Sequence, residues 1–198
     1  MAAVFALILT VASAHVFVAM AATPCDSPAQ WEGHASRYDY DASEHIMLNM
    51  SYDATNKRMH VREEINAVRP GREFHEIWAI YSKNVVYTLN LASMTCTKTT
   101  PTAPFRLIGI PSNATFEGDF FIGAGSNKLE VQEWSDRILV PTQPETWIGT
   151  FTVPDCIPVK EVLRGNDVDH AVVTSFYDIT AGIRNASIFD PPPQCTGA

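Results

Sequence analysis

The stretch "IMLNMSYDATNKRMHVREEIN", residues 46–66, decides the fold, because it reads as a strand, a turn and a second strand. In its first part, apolar side chains recur at every second residue, as they do in a half-buried strand. One face carries Ile46, Leu48, Met50 and Tyr52, and the other carries Met47, Asn49 and Ser51. The residues of "DATNK" are typical of a turn. After them, Met59, Val61 and Ile65 alternate with Arg58, His60, Arg62 and Glu64, which predicts a second half-buried strand.

The same period continues along the chain. "FHEIWAIYS" and "VVYTLNLAS" flank the short connection Ser82-Lys83-Asn84, and both are apolar on both faces. Such runs are typical of strands that are covered on two sides. Further strands are predicted in "DFFIGA", "LEVQEWS", "TWIGTFTV", "IPVKEVL" and "HAVVTSFYDIT". Helical periodicity is weak, and one short helix is predicted after Asn185, where an Asx cap precedes "ASIF".

About ten strands without helices predict an all-β chain that folds into a sandwich or barrel to bury its apolar faces. No repeat or linker divides the sequence, which indicates a single domain over residues 22–198. If the sheet curves without closing tightly, its inner face can line a cavity for an apolar ligand. The alternative is a dry core filled by the large aromatic residues, namely Trp78, Tyr87, Trp147, Phe151 and Phe176.

Residues 1–21 read as a secretory signal peptide, because no charged residue occurs from Ala2 to Pro24 and small residues close the apolar run. No later stretch is long and apolar enough to span a bilayer. In an exported chain, the four cysteines predict two disulfides, and the sequence leaves all three pairings open. Three sequons, at Asn49, Asn113 and Asn185, are predicted glycosylation sites. We therefore expect a secreted, extracellular or lysosomal glycoprotein.

Composition and motifs exclude several classes of protein. A net charge of −8, without a basic cluster, argues against a nucleic-acid partner. "GAGSN", residues 123–127, lacks the second glycine of a serine-hydrolase elbow, and "FHEIW" holds only the first half of a zinc-hydrolase motif. In "VQEWSDR", residues 131–137, Ser135 and Asp136 are predicted to end a strand and to bond turn amides. The sequence thus predicts no catalytic site and no enzymatic activity.

Four segments carry a resemblance to a known family: "CDSPAQWEG" at 25–33, "VQEWSDR" at 131–137, "ETWIGTFTVPDCIPV" at 145–159 and "FYDITAGIRNASIFDPPPQC" at 176–195. Together they resemble the ependymin family, and the ependymin-related proteins in particular. The resemblance implies two stacked, curved antiparallel sheets, forming a half-open barrel or sandwich around a hydrophobic pocket, as in bacterial lipoprotein carriers. It also implies that Cys25 pairs with Cys156 and Cys96 with Cys195. Calcium binding, association with the extracellular matrix, homodimers and lipid-like ligands are further expectations from the family.

Two functions follow as hypotheses. The first is a non-catalytic carrier or binder of a hydrophobic or lipid-like molecule. Its candidate pocket residues are Ile46, Leu48, Met50, Met59, Val61, Trp78, Ile80, Tyr87, Leu89, Phe151, Val172 and Phe176. The alternative is a calcium-dependent adhesion or signalling glycoprotein that acts at its surface, for which the acidic composition supplies carboxylates but no identifiable site.

Overall fold

The computed structural model describes residues 22–139, 144–165 and 171–197. The predicted signal peptide therefore lies outside the described residues. No helix in these ranges combines the length and apolarity that crossing a membrane requires.

The fold is all-β, as the sequence predicts. Eleven antiparallel strands form one open sheet with the order β6-β5-β4-β3-β2-β1-β11-β10-β9-β8-β7. The strands are β1 (Gln30–Asp39), β2 (Glu44–Asp53), β3 (Arg58–Ile65), β4 (Glu73–Ile80), β5 (Val85–Asn90), β6 (Thr95–Thr99), β7 (Thr115–Ala124), β8 (Asn127–Leu139), β9 (Pro144–Thr152), β10 (Pro158–Arg164) and β11 (Ala171–Ala181). Three short helical turns complete the described chain: Tyr81–Lys83, Ala186–Phe189 and Pro193–Thr196. The first six strands and the last five are joined through the pairing of β1 with β11.

Strand register divides the side chains between two faces of this sheet. We call one the Trp31 face; it carries Trp31, Met50, Val61, Phe176 and Trp147 in laterally paired strands. We call the opposite face the His60 face. It carries His60 of β3 and Trp78 of β4, which pair in register. The quoted hairpin is formed by β2 and β3, and its apolar positions point to the Trp31 face.

Two apolar clusters occupy the Trp31 face. The first surrounds Trp31 and includes Ala35, Leu48, Met50, Tyr52 and Phe176. The second contains Trp134, Trp147, Phe151 and Cys156. Segment 100–114 covers part of both clusters, since Phe105 stacks on Tyr52 with ring centroids 5.7 Å apart and Ile110 packs on the second cluster. Segment 22–29 contributes Ala22 and Cys25 to the second cluster as well.

The C-terminal segment, residues 182–197, covers the His60 face from β3 to edge strand β6. Trp78 donates a hydrogen bond from Nε1 to the carbonyl of Ile188 at 3.1 Å. Trp78 and Leu89 form a third apolar cluster with Cys195. This packing explains why β4 and β5 read as apolar on both faces.

Both disulfides have the pairing that the family resemblance implies. Cys25 is bonded to Cys156 with Cα atoms 5.9 Å apart, and Cys96 is bonded to Cys195 with Cα atoms 5.2 Å apart. The first bond anchors the segment before β1 to the Trp31 face, and the second anchors the C-terminal segment to edge strand β6.

Two sequence-based predictions need correction and one is confirmed. Strand β8 continues to Leu139 because it pairs with β9 over its whole second half, so Ser135 and Asp136 do not end a strand. Their side chains bond other segments instead: Ser135 donates to Glu117, and the Asn113 side chain donates to Asp136 at 3.3 Å. The sequence pattern also fails to predict strands β1 and β6. The short helix after Asn185 is confirmed as a 3₁₀ turn, with the Asn185 side chain accepting from the Ser187 amide at 3.1 Å.

Candidate functional site

The structure separates the twelve candidate pocket residues. Eight lie on the Trp31 face: Ile46, Leu48, Met50, Met59, Val61, Phe151, Val172 and Phe176. Four lie on the His60 face: Trp78, Ile80, Tyr87 and Leu89. These four cannot share a pocket with the eight, because the sheet lies between them. Trp78 and Leu89 are core residues beneath the C-terminal segment.

The eight residues on the Trp31 face differ in burial. Leu48, Met50, Phe151 and Phe176 are buried in the two apolar clusters. Ile46, Met59, Val61 and Val172 are half-buried. Ile77 is also half-buried and pairs with Val61 across β3 and β4. The Trp31 face therefore retains apolar area that the chain itself covers only in part.

Polar groups lie between the two clusters of the Trp31 face. Glu161 accepts hydrogen bonds from Nε1 of Trp147 at 2.7 Å and from Nη2 of Arg106 at 2.8 Å. Burial raises the pKa of Tyr52; the N–H of Ile108, which donates to the Tyr52 hydroxyl, opposes this shift, and the charge of Glu161 adds to it. Tyr52 therefore remains a neutral phenol.

Three buried nitrogen atoms have no hydrogen-bond partner within the described ranges: Nε1 of Trp31, Nε1 of Trp134 and Nε of Arg37. A buried donor without an acceptor costs about 1 to 3 kcal/mol, and more when it is charged. All three belong to the Trp31 face: Arg37 has the strand parity of Trp31 in β1 and pairs with Ile46, whereas Trp134 pairs with Gly149 in β9. Sequence reasoning missed Arg37 because the pattern does not predict β1.

The His60 face carries a polar cleft of about 400 Å³. Its walls include Glu32, Asn49, Ser51, Arg62 and Arg184. Glu32 accepts from Nε of Arg184 at 2.6 Å and from Ser51 at 3.4 Å. Burial favours the neutral form of Glu32, but the hydrogen bonds and the charge of Arg184 outweigh it and hold the pKa of Glu32 below its usual value. The cleft is thus lined by an ionised, internally paired carboxylate.

His60 lies at the inner end of this cleft. Its Nε2 is 2.8 Å from Oε1 of Glu76, and its ring centroid is 5.2 Å from that of Trp78. Burial lowers the pKa of His60, and the Glu76 carboxylate offsets this only in part. Ser51 pairs with His60 in register, but its hydroxyl donates to Glu32. The serine is therefore not hydrogen-bonded to the imidazole, as an activated nucleophile would be.

A calcium site is not evident in the part of the chain that the structure describes. No group of three or more His, Cys, Asp or Glu side chains that could hold a metal ion occurs there. Acidic residues that the sequence offers are engaged elsewhere: Glu64 pairs with Arg72 at 2.8 Å, and Asp39 accepts the amides of Asp41 and Ala42. These residues do not fit a preformed calcium site, and calcium binding stays a prediction. Glycosylation at Asn49, Asn113 and Asn185 also stays a prediction.

Comparisons with known proteins give a consistent result. A family model described as Ependymin matches residues 70–195. Mammalian ependymin-related protein 1 of Rattus norvegicus is 36% identical over 177 residues, which cover 88% of this chain and 77% of that protein. Ependymin-2 of Carassius auratus is 24% identical over 178 residues, covering 88% of this chain and 80% of that protein. Among solved structures, an uncharacterized conserved protein from Thermus thermophilus is similar in fold, with a TM-score of 0.52 at 9% identity, over 84% of this chain and 86% of that chain.

Proposed function

The chain belongs to the ependymin family, and we propose that it binds a hydrophobic or lipid-like molecule on the Trp31 face without catalysing a reaction. One observation carries this proposal. The half-buried side chains of Ile46, Met59 and Val61 adjoin the buried cluster around Trp31. Half-buried Val172 lies on the same face of β11 as Phe176 of that cluster. Partly covered apolar area that is continuous with a core is typical of ligand-binding sites.

The non-catalytic character of the proposal rests on the polar groups. The carboxylates on both faces are held in fixed pairs, such as Glu161 with Arg106 and Glu32 with Arg184. Ser51, His60 and Glu76 share one face, but the Ser51 hydroxyl donates to Glu32. Groups arranged in this way stabilise the sheet, and Ser51 is not bonded to His60 beside it.

The proposed setting is an oxidising, exported compartment. The two disulfides are persistent only where thiols are not kept reduced. Sequons at Asn49, Asn113 and Asn185 lie at exposed positions, which an oligosaccharide could occupy. A secreted glycoprotein accounts for both features.

We also propose a homodimer. Edge strand β7 and the start of β8 form a hairpin tip with four exposed apolar residues: Phe120, Phe121, Ile122 and Leu129. An apolar edge strand favours pairing with another strand, and a second copy supplies an identical partner.

A neutral apolar fluorophore tests ligand binding without involving a charged head group. We expect secreted protein to bind N-phenylnaphthylamine, to show stoichiometric bound lipid by native mass spectrometry, or both. Val61→Asn places an amide on the Trp31 face, and Arg62→Asn places one at the next position on the His60 face. We expect Val61→Asn to weaken fluorophore binding roughly tenfold, because burying an unpaired amide is costly, and Arg62→Asn to leave it within about twofold.

The control for folding is the melting temperature of both variants. Wild-type protein that carries no lipid and takes up no fluorophore would overturn the proposal. Equal weakening by the two substitutions would place the ligand away from the Trp31 face.

A further inference from the structure

Arg37 lies on the Trp31 face near the end of β1, where apolar and charged side chains adjoin. In register it lies between Ile46 of β2 and Thr174 of β11. On the same face, Val172 and Phe176 of β11 lie diagonally across from it, within reach of a long side chain. Its neighbours in the sheet thus offer apolar surface and the Thr174 hydroxyl on one side, and the carboxylates of Asp39 and Glu44 towards the end of β1.

The guanidinium of Arg37 is not neutralised by any residue that the structure describes. Arg58, Arg106 and Arg184 all form ion pairs with carboxylates. Arg37 forms none with any described residue, and its Nε is buried without a hydrogen-bond acceptor. The same-face carboxylates that are nearest in register, Asp39 and its cross-strand partner Glu44, form no ion pair with Arg37 among the described contacts.

A guanidinium is well suited to bind a planar anion. Its N–H groups form a rigid fork that matches the two oxygens of a carboxylate or phosphate. Arg37 remains half-buried as a whole, so a molecule that occupies the face can contact it. The two Nη atoms are not among the buried unpartnered atoms, and an anion that binds them would neutralise the guanidinium.

We propose that Arg37 binds the anionic head group of an amphiphile whose apolar chain lies on the Trp31 face beside Ile46 and Val172. This inference rests on the proposed function and narrows the ligand class to a long apolar chain that ends in a carboxylate or phosphate. On the described part of the Trp31 face, Arg106 is paired with Glu161, whereas Arg37, beside Ile46 and Val172, has no ion pair.

Displacement of bound N-phenylnaphthylamine by myristate and by myristyl alcohol tests the inference. The two competitors share a chain and differ in head group. We expect wild-type protein to prefer myristate by roughly tenfold, since hydrogen bonds to charged groups are worth about this factor or more. Arg37→Met should lose this preference by weakening myristate alone. Arg37→Lys should retain part of it, because the charge is kept and the fork is lost.

Arg62→Met, on the opposite face, is the matched control and should keep the wild-type preference. Monotetradecyl phosphate, which has the same chain length, in place of myristate tells a phosphate head group from a carboxylate. Equal displacement by myristate and the alcohol in wild-type protein would overturn the role of Arg37 and leave the proposed function standing. Equal weakening of both ligands by Arg37→Met would make Arg37 part of the apolar wall and overturn the inference. Absence of fluorophore binding in wild-type protein would overturn both.

Discussion

Asp53 accepts a hydrogen bond from Nε of Arg58 at 2.8 Å across the turn that joins β2 to β3. The same carboxylate accepts from the amide and side chain of Asn56 and from the side chain of Gln30. The guanidinium of Arg58 lies 4.1 Å from the ring centroid of Phe189 in the C-terminal segment. This fully buried carboxylate therefore connects the first strand, the central hairpin and the end of the chain.

Asp53→Ala should lower the free energy of unfolding by about 2 to 5 kcal/mol near neutral pH, because Arg58 loses its buried partner. Burial favours the neutral acid, but the hydrogen bonds from Asn56, Gln30 and Arg58 outweigh it and lower the pKa of Asp53 to about 2. The ionised group thus stabilises the fold above its usual pKa of 3.8, and this contribution is lost as pH falls towards about 2.

Urea titrations at pH 7 and near pH 3 measure the Asp53 effect, and the difference between wild type and variant should shrink at the lower pH. Asp119→Ala, at an exposed position of β7, is the control and should stay within about 0.5 kcal/mol of wild type. An Asp53 variant as stable as this control would show that the pairing contributes nothing.

His60 predicts a second pH dependence with its own range. Its lowered pKa means that the folded chain binds fewer protons than the unfolded chain just below the usual value of 6.5. The contribution of His60 to the free energy of unfolding is therefore complete above pH 6.5 and decreases as the pH falls below that value. His60→Gln keeps a neutral donor for Glu76 and cannot titrate. We expect a shallower decline of unfolding free energy between about pH 8 and about pH 5 than in wild type.

His34→Gln is the control for His60, since the side chain of His34 is 53% exposed. It should reproduce the wild-type slope. A His60→Gln slope that matches wild type would contradict the assignment of this pH dependence to burial.

Gly149 is required by the ring packed against it. A Cβ at this position would lie 2.6 Å from Cη2 of Trp147 and 2.7 Å from Cε2 of Phe151. The Trp147 ring cannot move away easily because its Nε1 is bonded to Glu161 and its side chain is fully buried. We expect Gly149→Ala to cost about 1 to 3 kcal/mol in urea unfolding. Gly109→Ala, whose Cβ would meet only Ser27 at 3.5 Å, should be nearly neutral, and equal effects would show that overpacking is not the cause.

The two disulfides should have similar global effects and different local ones. Replacing Cys96 and Cys195 by serine opens a loop of sequence separation 99 and should cost up to about 4 to 5 kcal/mol. Because this bond anchors the C-terminal segment over Trp78, hydrogen exchange should rise first in β4 and β5. Replacing Cys25 and Cys156 should raise exchange in β9 beside Trp147 instead. Identical exchange maps for the two pairs would contradict separate anchoring roles.

The sequence predicts strands where apolar alternation is strong and misses them where it is weak. β1 has two buried apolar side chains, Trp31 and Ala35, with Gly33 between them, so its period is faint. Exposed β6 carries no buried side chain at all. The sequence also fails to show which side chains of β4 share a face with those of β3, and the reason is different. Connection 66–72 lacks a two-residue turn signature that fixes register, and a shift of one residue exchanges the faces of a strand.

Residues of the candidate site, like the strands, can be found from sequence only where a local pattern fixes the face that they share. Ile46, Met50 and Val61 can be found from sequence because a single hairpin fixes their common face. Grouping Trp78 with them is wrong, since only the register of β4 places it under the C-terminal segment. Arg37 could not be found, because its isolation is a property of tertiary structure: no local pattern shows that a charge lacks a partner.

The hairpin tip gives a prediction about self-association. Phe121 and Ile122 are 53% and 47% exposed, and β7 is an edge strand with unpaired backbone groups. If a second copy covers this tip, Phe121→Ser with Ile122→Ser should raise the dimer dissociation constant by roughly 10- to 100-fold. The free energy of unfolding of the monomer should change by only about 0.5 kcal/mol per site, because neither side chain is buried in it.

Sedimentation velocity over a concentration series measures the dissociation constant. Met94→Ser, which removes an equally exposed side chain beside the other edge strand, is the control and should leave association unchanged. A wild-type chain that stays monomeric at all concentrations, or a double variant that still associates as wild type does, would assign the exposed tip to another role.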